Sequence, residues 1–517
     1  MRSTSGWEGF VFSMTMRNSK RRTVWLVFLF FVGLYLLSVG EGVYSTDGET
    51  MLQTTSSIVD RHQLAVRCRS RLPNAVRGLD GRCYGRYGLG QPLIAIPLYL
   101  LARGINTLLR GTDYAALVFL FVPRLNQIIT PVTCVLLFSF ASRLYRSARL
   151  GIGLALVYGL GTMAWPYAKF YFSEPLSAFC LLATAYFLFV FREQGKLKQL
   201  VLAGVFLGYA SLTKLSSVVV VPLFLAYSLP IDSALRSFRS IVSRATPFRW
   251  RLSISPAPKD SQIAGYRICS LTRLLAFVAP AVFFLVITFL YSYYAFGHLL
   301  AGGYHEEGWT TPLYLGLYGF LLSPGKSLLL FVPLTIVAPL GLVAFYKAGY
   351  KGEAVLFTAI FGIYLLLHAG WWSWYGGWSW GPRFLVPILP FLILPLGALW
   401  PGGTARHVSL VALIVISIFV QFLGVVIDFN QYMLLINDLT KLLFIPEYSP
   451  LVGHLQLLLG GGELDLSAGD LVALGLPELA VHVFHVVCFM LVVGAGVALW
   501  RAASRQQRVF ASSEYEC

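Results

Sequence analysis

Long apolar runs separated by short polar ones recur along the whole chain. The first, Val24–Val39, follows Arg17, Lys20, Arg21 and Arg22 and lacks a small-x-small cleavage pattern, so it reads as a retained signal-anchor helix running inside to outside. Runs near the ~20 residues that span a bilayer place further crossings at about 115–142, 150–167, 175–191, 199–213, 215–229, 274–296, 327–346, 353–370, 384–400, 407–427 and 478–500. The stretch "QPLIAIPLYLLARGINTLL" is apolar enough to be mistaken for another. A crossing there would turn Arg143, Arg146, Arg149 and the cation-rich 230–273 loop to the outside. It therefore reads as an interfacial helix in the outer headgroup layer, with Arg103 and Arg110 reaching lipid phosphates. The expected architecture is an all-α polytopic membrane protein of about twelve transmembrane helices, with interfacial helices in a large first extracytoplasmic loop. Residues 1–22 form a cytoplasmic segment, and 23–427 form the core, with outer loop 41–114 and cytoplasmic loop 230–273. A second outer loop (428–477), a last helix (478–500) and a cytoplasmic tail (501–517) follow; the expected location is the plasma membrane, both termini inside.

Composition agrees: 57% of residues are hydrophobic, 12% are charged, and mean hydropathy is +0.70. A net charge of +17 would suggest nucleic acid in a soluble chain. Here the cations gather between apolar runs, which is topology through the positive-inside tendency, and no nucleic-acid partner is expected. Seven arginines of the first outer loop (61, 67, 69, 71, 77, 82 and 86) oppose that tendency, as contacts to lipid phosphates or as solvated surface. Cys134, Cys180 and Cys488 lie in apolar runs and read as packing residues. Cys68 and Cys83 share the outer loop, either as a bridge closing ~15 residues or as two free thiols. No internal repeat, phosphate loop or dinucleotide fingerprint is present.

Candidate chemistry collects at the outer ends of the crossings. In "STDGETMLQTTSSIVDR", Asp47 could cap a helix beginning at Gly48, and a cap would also hold the carboxylate in one orientation for catalysis. Glu49, two residues on, points to another helix face. Glu174 in "KFYFSEPLS" begins a crossing, where it either favours the positive end of its helix or faces a cavity. The cations Arg86, Arg124, Lys169, Lys214, Lys326 and Arg383 share that side, each alone readable as a headgroup anchor. Lys214 occupies the tip of a short helical hairpin. Arg383 ends "WWSWYGGWSWGPR", which reads as an aromatic interface belt or as a wall, including Trp374, Tyr375 and Trp378, against which a sugar or prenyl chain could stack. In "GGYHEEGWTTP", His305, Glu306 and Glu307 are a weak metal or acid–base cluster, or a solvated turn.

These motifs, in order over most of residues 20–400, resemble the C-type membrane glycosyltransferases, in the bacterial branch related to protein O-mannosyltransferases and the aminoarabinose–lipid A transferase. The resemblance rests on "YSTDGE", "YGLGQPLIAIPLYL", "FYFSEPLS", "LTKLSS", "GLYGFLLSPGKSLLLFVPL" and "WYGGWSWGPRFLVPILP". It implies transfer of a sugar from a polyprenyl-phosphate donor to an acceptor hydroxyl on a glycan, lipid or protein, with Asp47 as the leading acidic residue. Glu49 and Glu174 would support it, and Lys214, Arg383, Arg86 and Lys169 would bind the donor phosphate; Trp374, Tyr375, Trp378, His305 and Glu306 are the expected substrate contacts. Metal use varies among such enzymes, and Asp47 and Glu174 are the candidate ligands for a divalent ion. The family often has adjacent Asp-Glu where this chain has Asp-Gly-Glu, and some members have Lys where Gln91 stands, a charge Arg86 could replace. The competing readings are a transporter or lipid flippase, which would show repeated halves and midplane ionisable groups, and a non-catalytic envelope scaffold.

Overall fold

The computed structural model describes residues 5–40, 43–68, 73–108, 113–228, 270–300, 302–304, 307–466, 472 and 477–514. Among them almost all regular structure is helical; one two-stranded antiparallel hairpin, β1 (Ala75–Arg77) with β2 (Cys83–Gly85), interrupts it. Among the described residues six helices are long and apolar enough to cross a membrane: Tyr114–Leu144, Glu174–Gln194, Leu271–Phe296, Lys351–Ala369, Thr404–Val426 and Glu478–Ser504. The architecture is the expected all-α polytopic membrane fold. A count of twelve uninterrupted crossings is not what the helices show, however, since several expected crossings are short or broken.

The breaks have local causes. The expected crossing at 384–400 is three pieces, Arg383–Ile388, Leu389–Ile393 and Leu394–Leu399, two of them 3₁₀. Pro387, Pro390 and Pro395 each lack an amide and crowd the preceding turn. The run at 150–167 stops at Gly161, where Thr162 turns extended, and Ala164–Lys169 is a separate short helix. The second outer loop is not a loop over most of its described length: Phe429–Ile436, Leu439–Phe444 and Pro450–Leu459 are helices that bury Phe429, Met433, Leu442 and His454. Most of the 230–273 loop lies outside the described residues.

Close helix approach follows small residues, as expected where lipid removes the hydrophobic drive between helices. Gly204 and Gly208 form a small-xxx-small step in Leu197–Thr213, and a Cβ on Gly204 would stand 2.1 Å from the carbonyl oxygen of Phe277 in the neighbouring helix.

The segment expected as the first outer loop is a built layer. Thr46–Arg61 is followed by the hairpin, the short helix Gly90–Ile94 and Ile96–Leu108. The last has 13 residues, about 20 Å of helix, too short to cross ~30 Å of hydrocarbon, and it leaves Leu100, Leu101 and Leu108 exposed. Cys68 and Cys83 are bridged, which ties the loop to β2. Of the arginines that oppose the positive-inside tendency, Arg61 donates to Ala65 O at 3.1 Å, Arg82 stands 3.7 Å from Asp80, and Arg86 binds Glu307; Arg69 and Arg71 lie outside the described residues.

Candidate functional site

The Thr46–Arg61 helix begins at Ser45, whose extended backbone lets its Oγ accept from Gly48 N at 3.1 Å. The expectation that Asp47 caps this helix is thereby corrected. With Ser45 satisfying the free amide, the Asp47 carboxylate sits inside the first turn and turns outward. Its Oδ2 accepts from Arg383 Nη1 at 2.8 Å and its Oδ1 from Asn74 Nδ2 at 3.0 Å, while the same amide reaches Thr46 Oγ1 at 2.8 Å.

Arg383 arrives from the far side of the sequence through a glycine-dependent turn. Gly376, Gly377 and Gly381 all have positive φ (73°, 69° and 61°), a region that side chains resist, and Arg383 N closes the turn on Gly381 O at 3.0 Å. Its guanidinium lies over the rings of Phe172 and Phe384, 4.8 and 5.2 Å from their centroids. The second carboxylate, Glu174, is 2% exposed and begins its helix. Its Oε1 accepts from Lys214 Nζ at 2.6 Å and stands 3.4 Å from Arg383 Nε, a contact too poorly aligned to count as a hydrogen bond.

Glu174 is placed by an amide clamp: Asn126 Nδ2 donates to Phe170 O and Phe172 O, both at 2.7 Å, and Gln91 steadies Asn126 from the Gly90–Ile94 helix. Lys214 is placed by contact, as the turn between Leu197–Thr213 and Leu215–Ser228. Gly88 and Gly90 press on Leu212 and Thr213 so closely that a Cβ on Gly90 would fall 2.7 Å from Thr213 Cα. Lys214 Nζ lies 4.6 Å from the Phe384 centroid. Asp47, Arg383, Glu174 and Lys214 therefore form one chain of charges, drawn from four distant segments.

Burial pulls the Lys214 ammonium below the usual lysine range; Glu174 opposes the shift and Arg383 adds to it. Burial also raises the Tyr87 phenol well above its usual value, helped by the charge of Asp47. Tyr87 and Tyr304 meet edge to face, and Arg86 covers Tyr304 at 5.1 Å while its Nη1 binds Glu307 Oε1 at 2.5 Å. The other Glu307 oxygen accepts from Trp372 Nε1 at 2.7 Å.

Other expected site residues lie elsewhere. Lys169, 1% exposed, binds Asp465 Oδ2 at 2.7 Å and Val425 O at 2.9 Å, and also touches the Asp465 carbonyl, so its ammonium is committed to that partner. Glu49 accepts from Gln53 at 3.3 Å and lines a separate cavity of about 400 Å³ with Leu52, Ser56, Asp60 and Tyr99. Trp374 is buried against Gly319 and Phe320, Tyr375 is half-buried, and Trp378 is exposed, so the tryptophan segment is not one stacking wall. His305 and Glu306 lie outside the described residues. Arg124, Lys169 and Lys326, expected as headgroup anchors, are all buried. Among the described residues no group of three His, Cys, Asp or Glu is placed to hold a metal ion. The guanidinium between Asp47 and Glu174 means the pair as arranged does not fit a divalent cation.

Sequence reasoning passed over Asn74, Tyr87 and the rings of Phe172 and Phe384, and offered Glu307 only as part of the His305–Glu307 cluster. The two phenylalanines stood inside quoted motifs; Asn74 carries no local signal, because its role exists only once β1 is folded beside the Asp47 helix.

No family model and no curated protein matches the chain. Among solved structures it is similar to ArnT from Cupriavidus metallidurans bound to undecaprenyl phosphate, with 13% identity over 96% of this chain and 77% of that one at a TM-score of 0.41. The apo state of that protein aligns with 14% identity over the same shares at a TM-score of 0.40.

Proposed function

We propose that the protein is a membrane glycosyltransferase that moves one sugar from a polyprenyl-phosphate donor to an acceptor hydroxyl on the extracytoplasmic face, with inversion at the anomeric carbon. The observation that carries the reading is the convergence of Asp47, Arg383, Glu174 and Lys214. A carboxylate beside two cations suits such a transfer, with the second carboxylate holding the cations in place. The acceptor oxygen attacks the anomeric carbon, the sugar–phosphate C–O bond breaks, and its electron pair leaves with the lipid phosphate. Asp47 takes the acceptor's proton. The leaving phosphate is already anionic and needs fixed positive charge, which Arg383 and Lys214 supply. In the resting site the carboxylates occupy those cations; an arriving phosphate competes for them and frees Asp47. Arg86, bound to Glu307 across Tyr304, stands as a further candidate on the donor side, and Glu174 orients Lys214 and Arg383.

The test is transfer from a radiolabelled prenyl-phosphate sugar by purified Asp47→Asn protein. Turnover is expected to fall by about 100-fold or more while the protein stays folded. Near-normal transfer by the folded variant would sink the assignment of the base.

A further inference from the structure

Lys326 is a buried cation that the transfer step does not use. It is 1% exposed, and its Nζ donates to Gly377 O at 3.1 Å, Ser379 O at 2.6 Å and Ser379 Oγ at 3.0 Å. All three ammonium donors thus end on the turn that delivers Arg383. No carboxylate of the described residues stands within salt-bridge distance of it. Burial holds its pKa well below the usual lysine range, and the charge of Arg383 lowers it further, so the two cations feel one another.

The charge balance gives this lysine a second consequence. Asp47 and Glu174 neutralise Arg383 and Lys214, and Glu307 neutralises Arg86. Among the described residues Lys326, when protonated, then adds one positive charge without a carboxylate partner, out of water. Burial alone favours the neutral amine, and an anion seated nearby holds the lysine protonated.

We propose that Lys326 is the positioning residue of the phosphate seat: it shapes the Gly376–Gly381 turn that aims Arg383, and its uncompensated charge selects a ligand carrying one net negative charge, such as a phosphodiester. This inference rests on the functional reading above for its ligand but not for its positioning role.

The experiment uses the full-length protein in detergent, as wild type, Lys326→Met, Lys326→Arg and Ser379→Ala, the last a milder change should Lys326→Met fail to fold. Two readouts are taken: hydrogen exchange of the 373–383 amides without ligand, and binding of farnesyl methyl phosphate, a prenyl phosphodiester with one negative charge, by calorimetry. Lys326→Met is expected to lose amide protection across the turn and to bind at least about tenfold more weakly, the loss of charged hydrogen bonds. Lys326→Arg should recover part of the affinity, and Ser379→Ala should fall between wild type and Lys326→Met. Unchanged protection in Lys326→Met, or in Ser379→Ala if Lys326→Met does not fold, overturns the positioning role. Lost protection with wild-type affinity overturns the electrostatic role. Lost protection in a protein whose wild type binds no prenyl phosphate supports the positioning role and instead counts against the glycosyltransferase reading.

Discussion

Asp47 and Lys214 show how little a candidate side chain says by itself. Asp47 stood out in the sequence as an acid beside an apolar run, yet its usefulness depends on Ser45 taking the cap and on Asn74 holding one carboxylate oxygen. Lys214 stood out as a hairpin tip, but what governs its chemistry is burial beside Glu174, Arg383 and Asp47. Because its pKa is lowered, its charge is lost as pH rises at values below the usual lysine range, and phosphate binding should fail there first. In Lys214→Arg the cation persists at any accessible pH. The alkaline limb of kcat/KM is therefore expected to move to higher pH in that variant, even if the rate at neutral pH drops. An alkaline limb that stays in place would show that another group, such as Tyr87 or Lys326, controls it.

At the level of elements, apolar runs were legible and their interruptions were not. The prolines of the 383–399 segment were visible in the sequence, but only packing shows that the chain continues through them as 3₁₀ and α pieces. The segment "YGLGQP" offered glycines without saying what they approach. In the folded chain Gly90 lies against Thr213, next to Lys214, with Tyr209 OH bonded to Gly90 O at 2.8 Å. Gly90→Ala should push the hairpin tip away at a cost of about 1–3 kcal/mol. The expected result is a lower thermal midpoint together with reduced transfer, whereas Gly104→Ala, where a Cβ meets nothing within 4 Å, should change neither. The stretch 428–466 reads as a loop in the sequence because its helices are short and separated at Asp438 and Pro446, below the length at which periodicity speaks.

Across the whole molecule, the remote parts are held by a few buried polar contacts. Lys169 and Asp465 join the end of the Ala164–Lys169 helix to the segment after Pro450–Leu459, and Tyr44, three residues before Asp47, donates to Asp465 Oδ1 at 3.0 Å. Lys169→Met leaves the buried Asp465 carboxylate with Tyr44 but without its cation, which should cost about 3 kcal/mol; the double variant Lys169→Met/Asp465→Leu should recover much of that loss in denaturant titration. Equal midpoints for single and double variants would remove the pair from the stabilising set. The sequence alone determined that the chain is an α-helical membrane protein, which segments are apolar, and which acids and cations lie at segment ends, because hydropathy and charge are summed locally. Only the tertiary structure decided which of those groups meet. It brought Asp47 to Arg383 across 336 residues and Lys214 to Glu174 across 40, and it sent Lys169 to Asp465, because these pairings are set by helix packing and turn geometry that no local pattern encodes.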